Sequence, residues 1–268
     1  MPLQRTLIYW RHRLEWYKHY SQWRNEGLRE ENGIVVGSDR FQEWLLPWWW
    51  ENYTKHNCYP ITFVDFGLSE EKKEWCRDKG ELVSLPFLDF LVKDKEEVST
   101  DTAGAWENHY GDNFWQYRKA WFKKPLACLQ SPYKKTIWLD LDCEVLGPIQ
   151  DLFTACEHPS GIAIAKDRIS DASVIPIYNS GVIAFQRNAT LLIEWAEQSL
   201  ENNGRFRGDQ DLLSQIIFDS GMPACELPSR YNWNIGYGLN PEAVICHWIG
   251  DKGKNVLRDQ LILKQLTQ

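Results

Sequence analysis

Apolar positions along the chain fall into short β-branched or aromatic blocks, separated by polar turns and longer amphipathic stretches. Gly33-Ile34-Val35-Val36-Gly37-Ser38-Asp39 predicts a first strand ending in a polar turn, and Ile61-Thr62-Phe63-Val64-Asp65-Phe66-Gly67 a second. Between them residues 41–55 can be helical despite Pro47. Ser69, ahead of Glu70 and Glu71, is the candidate N-cap of a helix that runs to Gly80 as its C′ residue. Strand and helix alternating at this spacing imply right-handed βαβ units. Residues 89–113 are charged and aperiodic and read as an irregular, lid-like segment. Residues 114–129 read as a helix carrying Arg118, Lys119, Lys123 and Lys124, for which a solvated face and a site-facing patch are both open. Thr136 to Leu139 is a short apolar run of the kind buried on both faces of a parallel sheet. Further on, 162–165 reads as a strand, and 177–185 as a strand interrupted by a turn or bulge at Asn179-Ser180-Gly181. Leu191 to Leu200 is a helix, Gly208 to Leu213 opens another, and 227–233 and 244–250 complete the series.

The fold class is therefore α/β: one Rossmann-like domain over 33–268, with a mixed, mostly parallel sheet, preceded by a helical extension over 1–32. In the extension Leu7, Trp10, Leu14 and Tyr17 fall at helical spacing and predict a helix packing that stripe on the domain, followed by a polar linker at Glu26, Glu30 and Glu31. Ligands of such sheets lie beyond the carboxyl ends of the strands. That points to Gly37-Ser38-Asp39 and to Asp140-Leu141-Asp142.

Composition narrows the chemistry. A net charge of −7 over 268 residues argues against nucleic acid as a partner, since that needs a basic face. An acidic protein that handles an anionic substrate must neutralise it locally, with a metal or a few placed Lys and Arg. The 15 Trp are compatible with a stacking surface for sugars and do not establish one. Seven Cys without a CxxC pair support neither a zinc ribbon nor a thioredoxin motif, and the odd count suggests reduced thiols in the cytoplasm. No run approaches a membrane span, and Arg11, His12 and Arg13 break any signal-like apolar core. Residues 1–24 carry an excess of positive charge, so a peripheral contact with the inner membrane face is the second reading of the extension.

On an extended chain Asp140 and Asp142 point the same way, their α-carbons roughly 6–7 Å apart. Unpaired carboxylates at a buried strand end are costly, and a divalent cation with oxygen ligands resolves the cost. Three readings compete: a solvated loop start, a phosphatase with an aspartyl nucleophile of the haloacid-dehalogenase kind, and the DxD of nucleotide-sugar glycosyltransferases. The phosphatase pattern wants Thr or Val where Glu144 stands, and places its motif near the start of the domain. A mid-chain position after an apolar strand favours the third.

Lys124-Pro125, Ile137-Trp138-Leu139-Asp140-Leu141-Asp142, Tyr178-Asn179-Ser180-Gly181-Val182, Gly208-Asp209-Gln210-Asp211-Leu212-Leu213, Leu227-Pro228 with Tyr231-Asn232-Trp233, and His247-Trp248-Ile249-Gly250 occur in that order. Together they resemble the GT-A glycosyltransferases, closest to the retaining family 8 that includes glycogenin and lipopolysaccharide galactosyl- and glucosyltransferases. The resemblance covers roughly 33–254. It implies that Asp140, Asp142 and His247 coordinate Mn²⁺ or Mg²⁺, that Gly250 lets the backbone approach a diphosphate, and that Lys124 contacts donor phosphate or sugar. It further implies Asn179, Asp209 and Gln210 in the donor-sugar pocket, Asp211 on sugar or acceptor hydroxyls, and Val35, Gly37 and Asp39 at the base and ribose. The family places a Lys three residues after the Gly. Gly253 stands there, flanked by Lys252 and Lys254, and either can supply that charge.

The implied reaction is transfer of a hexose from a nucleotide-diphosphate sugar, UDP before GDP, to a hydroxyl of a saccharide, glycolipid or protein, with retention. Asp209, Gln210, Asp211 and Lys124 would be its catalytic groups. Gln210 is a poor nucleophile, which favours same-face attack with the departing phosphate as base. A phosphoryl-transfer enzyme using the Asp pair, and a catalytically silent sugar-binding module, are the alternatives.

Overall fold

The computed structural model describes residues 10–11, 13–18, 20–21, 27–85, 92–110, 113–167 and 175–266. Its strands are β1 (Glu30–Ser38), β2 (Ile61–Asp65), β3 (Glu81–Ser84), β4 (Tyr133–Leu139), β5 (Cys143–Val145), β6 (Ile162–Lys166), β7 (Tyr178–Gln186), β8 (Cys225–Glu226), β9 (Trp233–Asn234) and β10 (Ile245–His247). The helices are α1 (Leu46–Thr54), α2 (Glu70–Lys79), α3 (Thr100–Tyr110), α4 (Phe114–Leu129), α5 (Gln150–Ala155), α6 (Thr190–Glu201), α7 (Asp209–Asp219) and α8 (Gly250–Leu266).

Seven strands form one sheet in the order β3-β2-β1-β4-β7-β6-β8, and β5-β10-β9 form a small second sheet. β3, β2, β1 and β4 run parallel, while β7 is antiparallel to both β4 and β6. The central strands read as unbroken apolar runs because both faces are covered. Val35 and Trp138 face one core, with α4, α6 and α7; Ile34, Val36, Ile137 and Leu139 face the other, with α1 and α5. Pro47 lies in the first turn of α1, where its missing N–H is not needed. Ser69 caps α2 by accepting from the Lys72 N–H.

Several expectations change. Gly80 is extended, not a left-handed C′ residue. Its requirement is space, since a Cβ there would sit 2.4 Å from the Ile61 carbonyl oxygen. Glu30 and Glu31 belong to β1, not to a linker. The 89–113 stretch holds the whole of α3, whose weak amphipathicity hid it; residues 86–91 and 111–112 lie outside the described residues. In the extension the helical residues pack through Trp16 and Tyr20, leaving Trp10 (52%) and Leu14 (60%) exposed. Leu7 lies outside the described residues.

Candidate functional site

The carboxyl ends of β1 and β4 meet the start of β7 and the end of β10. β4 stops at Leu139, and the chain then turns instead of continuing extended: the Cys143 N–H donates to the Asp140 carbonyl at 3.0 Å. The turn sends the two carboxylates to different partners. The Asp140 N–H is anchored on the Gly181 carbonyl at 2.8 Å, so β7 fixes the start of the turn. Where β7 passes the site its pairing with β6 skips, from Ile183↔Ile164 to Tyr178↔Lys166. The interruption expected at Asn179-Ser180-Gly181 is thus a loss of register within a continuous strand.

Asp140 belongs to a buried polar cluster. Lys124 Nζ, from α4, lies 3.0 Å from Asp140 Oδ1, donates to Ser180 Oγ at 3.0 Å, and lies 3.4 Å from Asp209 Oδ2. Ser180 Oγ donates to Asp209 Oδ2 at 2.8 Å, and Trp138 Nε1 to Asp140 Oδ1 at 2.7 Å. Burial would lower the Lys124 ammonium, but Asp140 and Asp209 outweigh it and hold it above its ordinary value. Burial raises the Asp209 carboxyl, against the pull of Lys124. The solvated-face reading of the α4 bases fails: Arg118, Lys123 and Lys124 are buried, and Arg118 instead binds backbone carbonyls of Lys93, Asn203 and Phe206. Lys119 pairs with Asp94 at the surface.

Asp142 belongs to a second cluster. β10 lies antiparallel to β5 with His247 opposite Cys143, which sets His247 Nε2 3.2 Å from Asp142 Oδ1. Lys254, near the start of α8, donates to Asp142 Oδ2. Burial would raise the Asp142 carboxyl, but Lys254 and His247 hold it well below the usual carboxylate range. His247 packs on Gly181, where a Cβ would come within 2.1 Å of the ring, so only glycine admits the imidazole. Its Nδ1 lies 2.9 Å from Asn232 Oδ1, and Asn232 Nδ2 donates to Asn179.

Both clusters open into one cavity of about 260 Å³, joined by Asn179, Gln210, Asp211 and Gly250. A small adjoining hollow of about 70 Å³ is lined by Gly37, Asp39, Phe66 and Trp138. Gly37 leaves room for the Phe66 and Trp138 rings, which a Cβ would meet at 2.5 and 2.9 Å. Asp39 Oδ1 accepts from the Phe41 and Gln42 N–H groups. Val35, by contrast, is wholly within the core and lines neither space. Asp211 caps α7 through the Gly208 N–H and pairs with Arg207 at 3.0 Å, whereas the Gln210 side chain faces the cavity with no hydrogen bond to the described residues. Of the two flanking lysines, Lys254 lines the cavity and Lys252 is exposed away from it. Gly253 cannot be the usual Lys, because a Cβ there would lie 2.5 Å from the Trp248 backbone. Gly250 has φ +71°, a left-handed conformation that favours glycine at the start of α8. A larger open cleft, about 640 Å³, lies at the amino ends of β4 and β6 beside Lys134 and Arg187; among the described residues, none that lines it is acidic.

Among the described residues, the compact group of metal-ligating side chains is Asp142, Cys143 and His247. A carboxylate oxygen and an imidazole nitrogen suit a divalent cation, and at 3.2 Å they are spaced as neighbouring ligands of one ion. Burial keeps the Cys143 thiol protonated, and it points at the Gly181 carbonyl. Asp140 lies outside this group, held by Lys124 and Trp138. Residues missed by the sequence are Ser180, Asn232 and Trp138. All three sit inside the motifs quoted above, but nothing in spacing alone shows which partners their side chains reach.

No protein-family model matches the chain, and no curated protein matches it in sequence. Among solved structures, the apo-form glycosyltransferase GlyE of Streptococcus pneumoniae TIGR4 has TM-score 0.58 at 18% identity, over 82% of this chain and 55% of its own. The galactosyltransferase LgtC, in complex with donor and acceptor sugar analogs, has TM-score 0.56 at 15% identity, over 82% and 87%. The bifunctional glycosyltransferase WbbM has TM-score 0.57 at 12% identity, over 85% and 47%. The chain thus spans about half the length of the GlyE and WbbM structures it matches. At these identities the likeness is one of fold: this is the GT-A glycosyltransferase fold that the motifs resemble.

Proposed function

We propose that the chain is a metal-dependent glycosyltransferase that moves a hexose from a UDP-sugar to an acceptor hydroxyl with retention. The observation that carries this reading is the meeting of Asp142 and His247, more than a hundred residues apart in sequence, beside the Lys124–Asp140–Asp209 cluster in one cavity. LgtC, of the same fold, was solved with donor and acceptor sugar analogs.

Asp142 and His247 would hold Mn²⁺ or Mg²⁺, with Asp140 as the third candidate ligand once Lys124 shares its charge with the donor. When bound, the ion supplies Lewis-acid stabilisation of the charge that develops on a leaving diphosphate. The rest falls to the chain. Lys254 can place its ammonium on the leaving phosphate, and Gly250 lets the backbone N–H groups at the start of α8 approach it. Gly37 and Asp39 line the hollow assigned to base and ribose. Lys124 pairs with both Asp209 and Asp140, and Asp209 and Asn179 would bind sugar hydroxyls. Gln210, which lines the cavity, would face the anomeric centre, where its amide oxygen would support oxocarbenium character without forming a stable bond. Asp211, tied to Arg207, would meet the acceptor side.

A screen of UDP- and GDP-hexoses for Mn²⁺-dependent hydrolysis or transfer tests the reading. Turnover of one UDP-hexose that EDTA abolishes is expected. Turnover unaffected by EDTA would remove the metal, and hydrolysis of a phosphomonoester instead would replace glycosyl by phosphoryl transfer.

A further inference from the structure

Asn232 joins two parts of the cavity that lie far apart in the chain. Its Nδ2 donates to the Asn179 carbonyl at 3.1 Å and to Asn179 Oδ1 at 3.0 Å, and its Oδ1 lies 2.9 Å from His247 Nδ1. Asn179 and Asn232 are each 8% exposed, so water competes little for these bonds. The two ends of an amide are told apart by their partners, and here one partner is a backbone group of fixed identity. The Gly181 N–H donates to Asn179 Oδ1 at 3.0 Å, so that atom is the oxygen. The Asn232 atom facing it, and facing the Asn179 carbonyl, must be the NH₂ donor. The remaining end of Asn232 is then its oxygen, which can only accept from His247. Nδ1 of His247 therefore carries a proton, and in the neutral ring Nε2 is the lone-pair nitrogen. That lone pair faces Asp142 Oδ1 at 3.2 Å. Two acceptors so close are compatible only with a cation or proton between them.

We infer that Asn232 is a positioning residue: through Asn179 it relays the direction of the Gly181 N–H to the His247 tautomer, so that Nε2 presents its lone pair where Asp142 shares a cation. The role at the cation rests on the reading of His247 as a ligand; the control of the tautomer does not. The same amide restrains Asn179, so one side chain sets both the cation ligand and a residue assigned to the donor sugar. Such partners of metal-bound histidines typically change metal affinity roughly 10–100-fold when removed.

The test uses the full chain labelled with ¹⁵N-histidine, at about pH 8, above the reference histidine pKa of ~6.5. Wild type, Asn232→Leu and Asn232→Asp are compared by ¹⁵N NMR and by Mn²⁺ EPR titration without nucleotide, with circular dichroism to confirm folding. Wild type is expected to show His247 protonated at Nδ1. Asn232→Leu, nearly isosteric but without an acceptor, should shift the proton toward Nε2, where Asp142 accepts it, and weaken Mn²⁺ by about 10-fold or more. Asn232→Asp keeps the acceptor, so it should retain the Nδ1 proton and most of the Mn²⁺ affinity, while raising the donor KM by repelling the Asn179 oxygens. A wild-type ring unprotonated at Nδ1, or a folded Asn232→Leu with unchanged tautomer and Mn²⁺ affinity, overturns the inference. A tautomer that shifts in Asn232→Leu when wild type binds no Mn²⁺ upholds the relay and sinks the metal in the proposed function.

Discussion

At Asp142 the opposition of burial and pairing sets how the molecule responds to acid. Its folded value is depressed below the ordinary 3.8, so the unfolded chain binds the proton first. The stabilisation is present above about pH 4 and is lost as pH falls below it. Asp142→Asn removes the anion and leaves Lys254 and His247 facing a neutral amide; at neutral pH it should cost about 3–5 kcal/mol, the usual effect of breaking a buried pair. Thermal melts of wild type and Asp142→Asn should therefore differ at pH 7 and converge below pH 4; a gap that is constant with pH would contradict the pairing. Lys254 and Lys252 give a second contrast. Lys254 lines the cavity on Asp142, and Lys252 does not. Lys254→Ala should lose mainly kcat, by about 10-fold or more, since leaving-group charge grows in the transition state, while Lys252→Ala stays near wild type. Equal, small effects in steady-state kinetics would take Lys254 out of the reaction.

Element by element, the site depends on β7 running close under β10. Gly181 makes that approach possible, because a side chain there would occupy the His247 ring. Gly181→Ala should displace the imidazole, cost about 1–3 kcal/mol in a melt, as overpacking does, and lower Mn²⁺ affinity; unchanged affinity in the folded variant would show that the ring does not ligate. The sequence made much of this region legible. The apolar runs of β1, β2, β4 and β6 mark buried strands, and Ser69 marks the start of α2, because burial on both faces and capping leave local signatures. The position of Asp140 and Asp142 at a strand end was equally readable. Their divergence was not, since the turn between them is set by the hydrogen bond of Asp140 to Gly181, a contact across strands. Nor could spacing choose between Lys252 and Lys254. That choice is made by the Gly253 backbone packing on Trp248, which fixes how α8 begins. The face of the N-terminal helix was misread because Trp10, Leu14 and Tyr17 have the right period, yet the packing surface belongs to Trp16 and Tyr20.

For the whole molecule, the fold brings the carboxyl ends of β1 and β4, the start of β7 and the end of β10 to one cavity, as open α/β sheets do. Two charged clusters share that cavity, and a nucleotide diphosphate would span them, adding oxygen ligands to a cation held by Asp142 and His247. Cation and nucleotide should then bind cooperatively, each raising the affinity of the other by the same factor. The most direct measurement is a Mn²⁺ titration followed by EPR, with and without UDP, on wild type and His247→Ala. UDP is expected to tighten Mn²⁺ about 5–150-fold in wild type, the usual range of such coupling, and His247→Ala to weaken Mn²⁺ and lose most of the coupling while staying folded. Mn²⁺ affinity that is the same in both proteins and indifferent to UDP would contradict this expectation.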